Sequence, residues 1–201
     1  LLVVFLGKAT RLIAYCQEME KEYEVELELG KTSDTYDVTG VVTPSTRSTF
    51  PGEAVFRKGM MFFVGPHWQI QPPFSAIRFQ GSRAYEHARA GKSLDLGKRQ
   101  VIIRDLQLLK YQVPFASLRL SCSSGTYVRS FVHELGQELG TGAVMAALRR
   151  TRVGSFSIAT AHPLHELTHG HLLPASRVIE QHIDWKGSAG SEQKYLLKQF
   201  S

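Results

Sequence analysis

The apolar positions of this chain recur with different periods along its length, and each period predicts an element. The clearest is KEYEVELELG, where Tyr23, Val25, Leu27 and Leu29 alternate with Glu22, Glu24, Glu26 and Glu28. A period of two predicts a strand with one buried face and one wet, acidic face. Ahead of it, Leu12, Ile13, Cys16 and Met19 fall at helical spacing, and the unbroken apolar run from Leu1 to Leu6 predicts a strand covered on both faces. After it, SDTYDVTG is turn-rich, with Asp34 and Asp37 as turn formers, since the twelve-residue spacing of a calcium loop is absent. Val41 to Thr43 predicts a short strand, AVFRKGMMFF a short helix, and RQVIIRDLQLLKYQ a strand leading through Pro114 toward Leu118.

The stretch from Leu118 to Arg152 organises the rest. Leu118, Leu120 and Cys122 lie on one face of a predicted strand and Arg119 and Ser121 on the other. A Ser-Ser-Gly turn follows, then an amphipathic helix with Val128, Phe131, Val132, Leu135 and Leu139 on one side. The Gly-Thr-Gly break after it predicts the start of a second helix, with Arg149 and Arg150 at its far end. VGSFSI reads as a short strand, PASRVIEQHI as a helix, and residues 184–201 as a polar tail.

With 201 residues the chain can bury a substantial core, as one mixed domain or a domain with a small appendage. A net charge of +6 favours an anionic partner such as nucleic acid. Cys16 and Cys122 are too few for a disulfide framework and read as buried free thiols in a reducing cytosol. LLVVFLG is too short to span a bilayer and lacks the basic flank of a signal peptide. It opens the chain without Met or a polar lead-in, so the sequence reads as beginning inside a longer protein.

Three places carry candidate chemistry. The turn before the Val128 helix offers backbone N–H groups, the Ser123 and Ser124 hydroxyls, and the nearby cations Arg129, Arg149 and Arg150, a set suited to a phosphate. The same pattern fits a helix packed across a sheet edge with solvated arginines. Gln71 to Gly91 interleaves Arg78, Arg83, His87 and Arg89 with Phe74, Phe79 and Tyr85. That mixture suits stacking and phosphate contact on RNA, and equally a surface hairpin with a short amphipathic helix. His165, Glu166 and His169 spell H-E-x-x-H, the zinc-protease signature. Pro163 and Gly170 leave hardly two turns of helix around it and no Met-turn follows, so no metal is expected.

CSSGTYVRSFVHELGQELGTGA, followed by LRR, resembles the TruB family of RNA pseudouridine synthases. Members carry C-S-K-G-T-Y-I-R-S, D-L-G-x-x-L-G-x-x-A and L-R-R-x-x-x-G, and Ser124 stands where the family usually has Lys. Gln71 to Gly91 is similar to the family's P-P-x-x-S-A-L-K-x-x-G-x-x-x-Y-x-x-A-R-x-G insertion, implied to embrace RNA, with Arg78 in the Lys place. The resemblance implies an α+β fold, with a mixed, mostly antiparallel sheet flanked by helices, and covers roughly Leu1 to Leu167.

Uridine isomerisation detaches the base, rotates it and rejoins it through carbon. It needs a nucleophilic carboxylate, an apolar slot and a cation that keeps the carboxylate ionised, and the base must leave its stack. The resemblance assigns base stacking to Tyr23, from the K-x-Y motif, and pairing with the catalytic aspartate to Arg149, the first Arg of L-R-R. Without the resemblance Tyr23 reads as a core tyrosine and Arg149 as an exposed arginine. Leu167 is implied to line the uracil pocket, while Lys21, Arg11, Asp34, Tyr127 and Arg129 are implied to contact RNA or brace the site. Leu164 and Leu167 would be the apolar positions of the family's T-L-x-x-L segment.

The family's nucleophile lies in a G-x-L-D-P-x-A-x-G segment, expected here directly before Leu1; Asp34, Asp37 and Asp105 lie in the wrong places for it. Ala147 stands where many members have a tyrosine beside L-R-R. A C-terminal PUA domain does not fit after Leu167. The expected protein is thus a catalytic domain over residues 1–183, including the 71–91 insertion, plus a tail. It would convert a T-loop uridine of tRNA to pseudouridine, as a cytoplasmic monomer without cofactor, metal or protein partner. An RNA-binding module of the same fold without activity is the alternative.

Overall fold

The computed structural model describes residues 1–45, 49–79, 81–90 and 96–179; the expected tail lies outside these. A 3-10 turn at Gly7–Leu12 runs into α1 (Ile13–Glu18), followed by β1 (Lys21–Leu29), β2 (Lys31–Ser33), β3 (Val42–Pro44), α2 (Glu53–Met61) and β4 (Gly65–Ile70). Then come β5 (Arg78–Phe79), β6 (Ser82–Arg83), α3 (Ala84–Arg89), β7 (Lys98–Gln112), β8 (Phe115–Cys122), α4 (Val128–Glu138), β9 (Ala143–Val153) and β10 (Phe156–Ser157). Further 3-10 turns occupy Ile158–Thr160, Leu164–Glu166 and His169–His171, and residues 176–179 are helical.

Six strands form one sheet in the order β10-β9-β1-β8-β7-β4. β7 and β8 make a long antiparallel hairpin around the cis Val113–Pro114 bond, with register shifts between Ile103 and Asp105 and between Leu108 and Lys110. β4 pairs antiparallel to β7, from Gly65 opposite Ile103 to Ile70 opposite Lys98. A parallel bridge from Asp37 to Met145 makes the pairing mixed. β4 is an edge strand, protected as such edges usually are: it is short, carries Pro66, and its Ile70 N–H donates to Glu134 Oε1 at 2.7 Å.

The chain divides into two compact units. One comprises residues 23–149 and the other residues 1–22 with 150–201, the boundaries cutting through β1 and β9. In the larger unit the alternation of β1 buries Val25, Leu27 and Leu29 against Leu118 and Leu120 of β8, Phe56 and Met60 of α2, and Phe131 and Leu135 of α4. In the smaller unit Leu12, Cys16, Met19, Val153, Val178 and Ile179 form a second cluster. Cys16 and Cys122 are buried free thiols.

Two expected elements differ. Residues 1–6 form no strand: Leu2, Val4 and Leu6 are more than 60% exposed, while Leu1, Val3 and Phe5 pack on the smaller cluster. The segment is extended and covered on alternate residues only. Its first residue is tied to β9, with Leu1 N donating to the Arg150 carbonyl at 2.8 Å and Arg150 Nε to the Leu1 carbonyl at 3.0 Å. The second helix expected after Gly-Thr-Gly is instead strand β9. Gly140 and Gly142, at φ +68° and +69°, turn the chain out of α4, and Gly30 N then donates to Gly142 O at 3.1 Å, beside β1. Ala, Met, Leu and Arg favour helices in isolation, but a neighbouring strand with free hydrogen-bonding groups overrides so weak a preference.

Candidate active site and nucleic-acid interface

The β1–β9 pair holds the two residues assigned to catalysis. Tyr23 is half-buried against the main core. β1 and β9 are neighbours in the sheet, and Gly30 N donates to Gly142 O at 3.1 Å where one strand ends and the other begins. β9 exposes three consecutive residues, Ala147, Leu148 and Arg149, where a regular half-buried strand would alternate. Such irregular steps re-aim side chains beside functional sites. Arg149 is exposed and, among the described residues, has no hydrogen bond or ion pair. Arg150, by contrast, is engaged with Leu1, and Arg152 lies 3.8 Å from Glu22.

A second constellation surrounds the turn after β2. Asp37 Oδ1 accepts from Thr35 Oγ1 at 2.8 Å, Thr39 N at 3.0 Å and Thr39 Oγ1 at 2.5 Å, and Oδ2 lies 3.4 Å from Arg129 Nη1. Burial pushes this carboxyl up, but the bonds from Thr39 and Thr35 and the Arg129 charge outweigh it and hold it below the usual carboxylate range. Asp34 accepts from Val41 N at 2.8 Å. Both aspartates are therefore turn formers, as expected, and Asp37 is also the partner of Arg129, which local sequence could not reveal. Tyr36, at φ +66°, stacks its ring on His133 of α4 with centroids 3.9 Å apart. Burial lowers the His133 pKa and raises that of Tyr36, to which Glu134 adds.

The anion site expected before α4 is not assembled as a cluster. Tyr127 N donates to Oε1 of buried Gln69 at 2.7 Å, so that backbone donor already serves the protein, whereas Ser123 Oγ accepts from Ile102 N at 2.9 Å and keeps its O–H to donate. Arg129 is turned to Asp37 and to the Phe74 carbonyl, and Arg149 sits on a strand. The helix-across-a-sheet reading describes this turn.

Other expected site residues are placed as follows. Lys21 Nζ donates to the Gln17 carbonyl, to Met19 O at 2.5 Å and to Cys16 O at 3.4 Å, closing the carbonyl end of α1. Arg11 and Arg78 are exposed. The 71–91 insertion combines a hairpin, Arg78 opposite Arg83, with α3, and is held internally by Ala84 N to Ile77 O at 2.8 Å and Tyr85 N to Ser75 O at 3.1 Å. Leu167, implied to line the uracil pocket, is 49% exposed, and Leu164, the other apolar position of the T-L-x-x-L segment, is 83% exposed. His165, Glu166 and His169 do not share a helix, because Leu167 is extended at ψ 131° between two 3-10 turns. Among the described residues no group of three His, Cys, Asp or Glu could hold a metal ion. A cleft of about 410 Å³, whose lining includes Phe62, Trp68, His67, Lys98, Glu134 and Glu138, includes neither Tyr23 nor Arg149.

Residues 1–128 match the TruB family pseudouridylate synthase N-terminal domain, and residues 129–184 the tRNA pseudouridylate synthase B C-terminal domain. The tRNA pseudouridine synthase B of Bordetella pertussis is 40% identical over 169 residues, 83% of this chain and 69% of its own. That of Opitutus terrae is 39% identical, over 80% of this chain and 67% of its own. A chain of a Cbf5-Nop10-Gar1 complex shares the fold, with TM-score 0.65 and 23% identity over 88% of this chain and 48% of that one. A family domain that covers more than half the sequence, and relatives of this identity over most of it, establish that the chain belongs to the TruB family of pseudouridine synthases.

Proposed function

We propose that this protein converts uridine to pseudouridine in the T-loop of tRNA. The observation that carries the reading is that half-buried Tyr23 and exposed Arg149, which has no side-chain partner among the described residues, lie on neighbouring strands of one sheet, Arg149 where β9 breaks its alternation. Tyr23 presents an aromatic wall on which a flipped uracil stacks, and Arg149 is available to keep an attacking carboxylate ionised. Asp34, Asp37 and Asp105 do not supply that carboxylate: the first two hold their own turn, and Asp105 is exposed beside Gln107. Residues 1–183 act as the catalytic domain and the 71–91 insertion as an arm on the RNA, with Arg78 on its outer side. The protein acts as a cytoplasmic monomer.

Release of tritium from tRNA labelled at uridine C5 tests this on the whole protein. Wild type should turn over, whereas Tyr23→Leu and Arg149→Ala should lose on the order of a hundredfold or more in kcat. Tight tRNA binding without any release would instead favour the second reading, an RNA-binding module without activity.

A further inference from the structure

One helix grips the chain where it passes from β4 into the insertion. Gln69 Oε1 accepts from Tyr127 N at the start of α4, Ile70 N donates to Glu134, and Arg129 Nη2 donates to the carbonyl of Phe74. At the same root Gln71 N donates to Gly97 O at 3.3 Å and its Nε2 to Leu96 O at 2.6 Å, and within the insertion Ala84 N donates to Ile77 O and Tyr85 N to Ser75 O, so contacts at its base bear on its orientation. Arg129 is the member of this grip that reaches furthest. Its other nitrogen, Nη1, approaches Asp37, and the backbone around Asp37 is fixed to β9 by Val38 N to Met145 O at 3.0 Å and Met145 N to Tyr36 O at 3.1 Å. β9 is the strand that carries Arg149. A single guanidinium thus joins the root of the insertion to a turn docked on the catalytic strand. Its planar fork can address two acceptors at once, whereas a lysine ammonium is a point charge without that geometry. The Arg129 and Asp37 side chains are only 21% and 13% exposed, so solvent does not readily replace either partner.

We propose that Arg129 is a positioning residue that sets the angle of the 71–91 arm relative to the Tyr23–Arg149 pair and thereby governs tRNA engagement rather than the chemical step. The kinetic part rests on the isomerase reading; the structural part does not. In the whole protein, Arg129→Met should raise KM for tRNA about tenfold while kcat stays within about twofold. It should also speed thermolysin cleavage within residues 71–91 by about tenfold under conditions where the rest of the fold resists. Combined with Arg78→Ala, it should weaken tRNA binding less than additively, because Arg78 depends on an arm already misplaced. Arg129→Lys should behave like Arg129→Met, and it carries the comparison if the Met variant does not fold. Wild-type cleavage and KM in both variants would overturn the proposal, as would a fall in kcat at unchanged KM, which would put Arg129 in the chemistry. Absence of tritium release from wild type would sink the isomerase reading alone, since arm cleavage and tRNA Kd would still judge Arg129.

Discussion

At the scale of residues, two groups tie stability to pH. His133 is held neutral by burial, so its folded pKa lies below the ordinary 6.5, and the unfolded chain takes up the proton first. Stability should begin to fall as pH drops below about 6.5 and stop falling below the folded value. Asp37 has a folded pKa below its ordinary 3.8; its contribution is present above that value and is lost as pH falls through the lower folded one. Urea titrations from pH 8 to 3 should show both losses, and His133→Gln should remove the upper one. Asp37→Ala should cost about 2–4 kcal/mol, since it strips partners from Thr35, Thr39 and Arg129 together. Arg149→Ala is the opposite case. An exposed side chain without a partner among the described residues should change stability by no more than about 0.5 kcal/mol while abolishing most turnover, which thermal melts and tritium release would separate.

At the scale of elements, α4 is the hub. Its apolar face buries Phe131 completely, in edge contact with Phe63 at 5.4 Å, while its polar positions hold β4, the insertion root and the Asp37 turn. Gly136 shows why a helix glycine is needed there. A Cβ at that position would lie 2.2 Å from the backbone nitrogen of Ala143, where β9 starts across the helix. Gly136→Ala should therefore cost about 3 kcal/mol or more, read as a shift in urea midpoint, because neither backbone can yield without breaking its ladder. The alternation of β1 and the periodicity of α4 were legible directly, since each is a local pattern. β9 was not: its residues read as a helix, and only pairing beside β1 makes them a strand.

At the scale of the whole molecule, the net charge of +6 is a field for a polyanion. Association with tRNA should weaken steeply with salt, and Arg78→Ala should reduce the slope of log Kd against log salt by about one while leaving kcat nearly unchanged. Within the chain the charge is not uniform: the wet face of β1 is acidic, with Glu22 turned to Thr151 and Glu24 to Arg119. Among the described residues no helix is long and apolar enough to cross a membrane.

The sequence by itself determined the family, the α+β class, most strands and helices, and the identity of Tyr23 and Arg149 as residues to examine. These rest on local periodicity and on contiguous motifs, which survive without knowledge of any distant contact. Tertiary structure alone decided that Arg149 stands on an irregular strand, that Asp37 and Phe74 share one guanidinium, and that the first six residues are extended without being a strand. Each of those depends on which backbone lies alongside, and hydrogen bonds between residues dozens of positions apart leave no period in the chain that makes them.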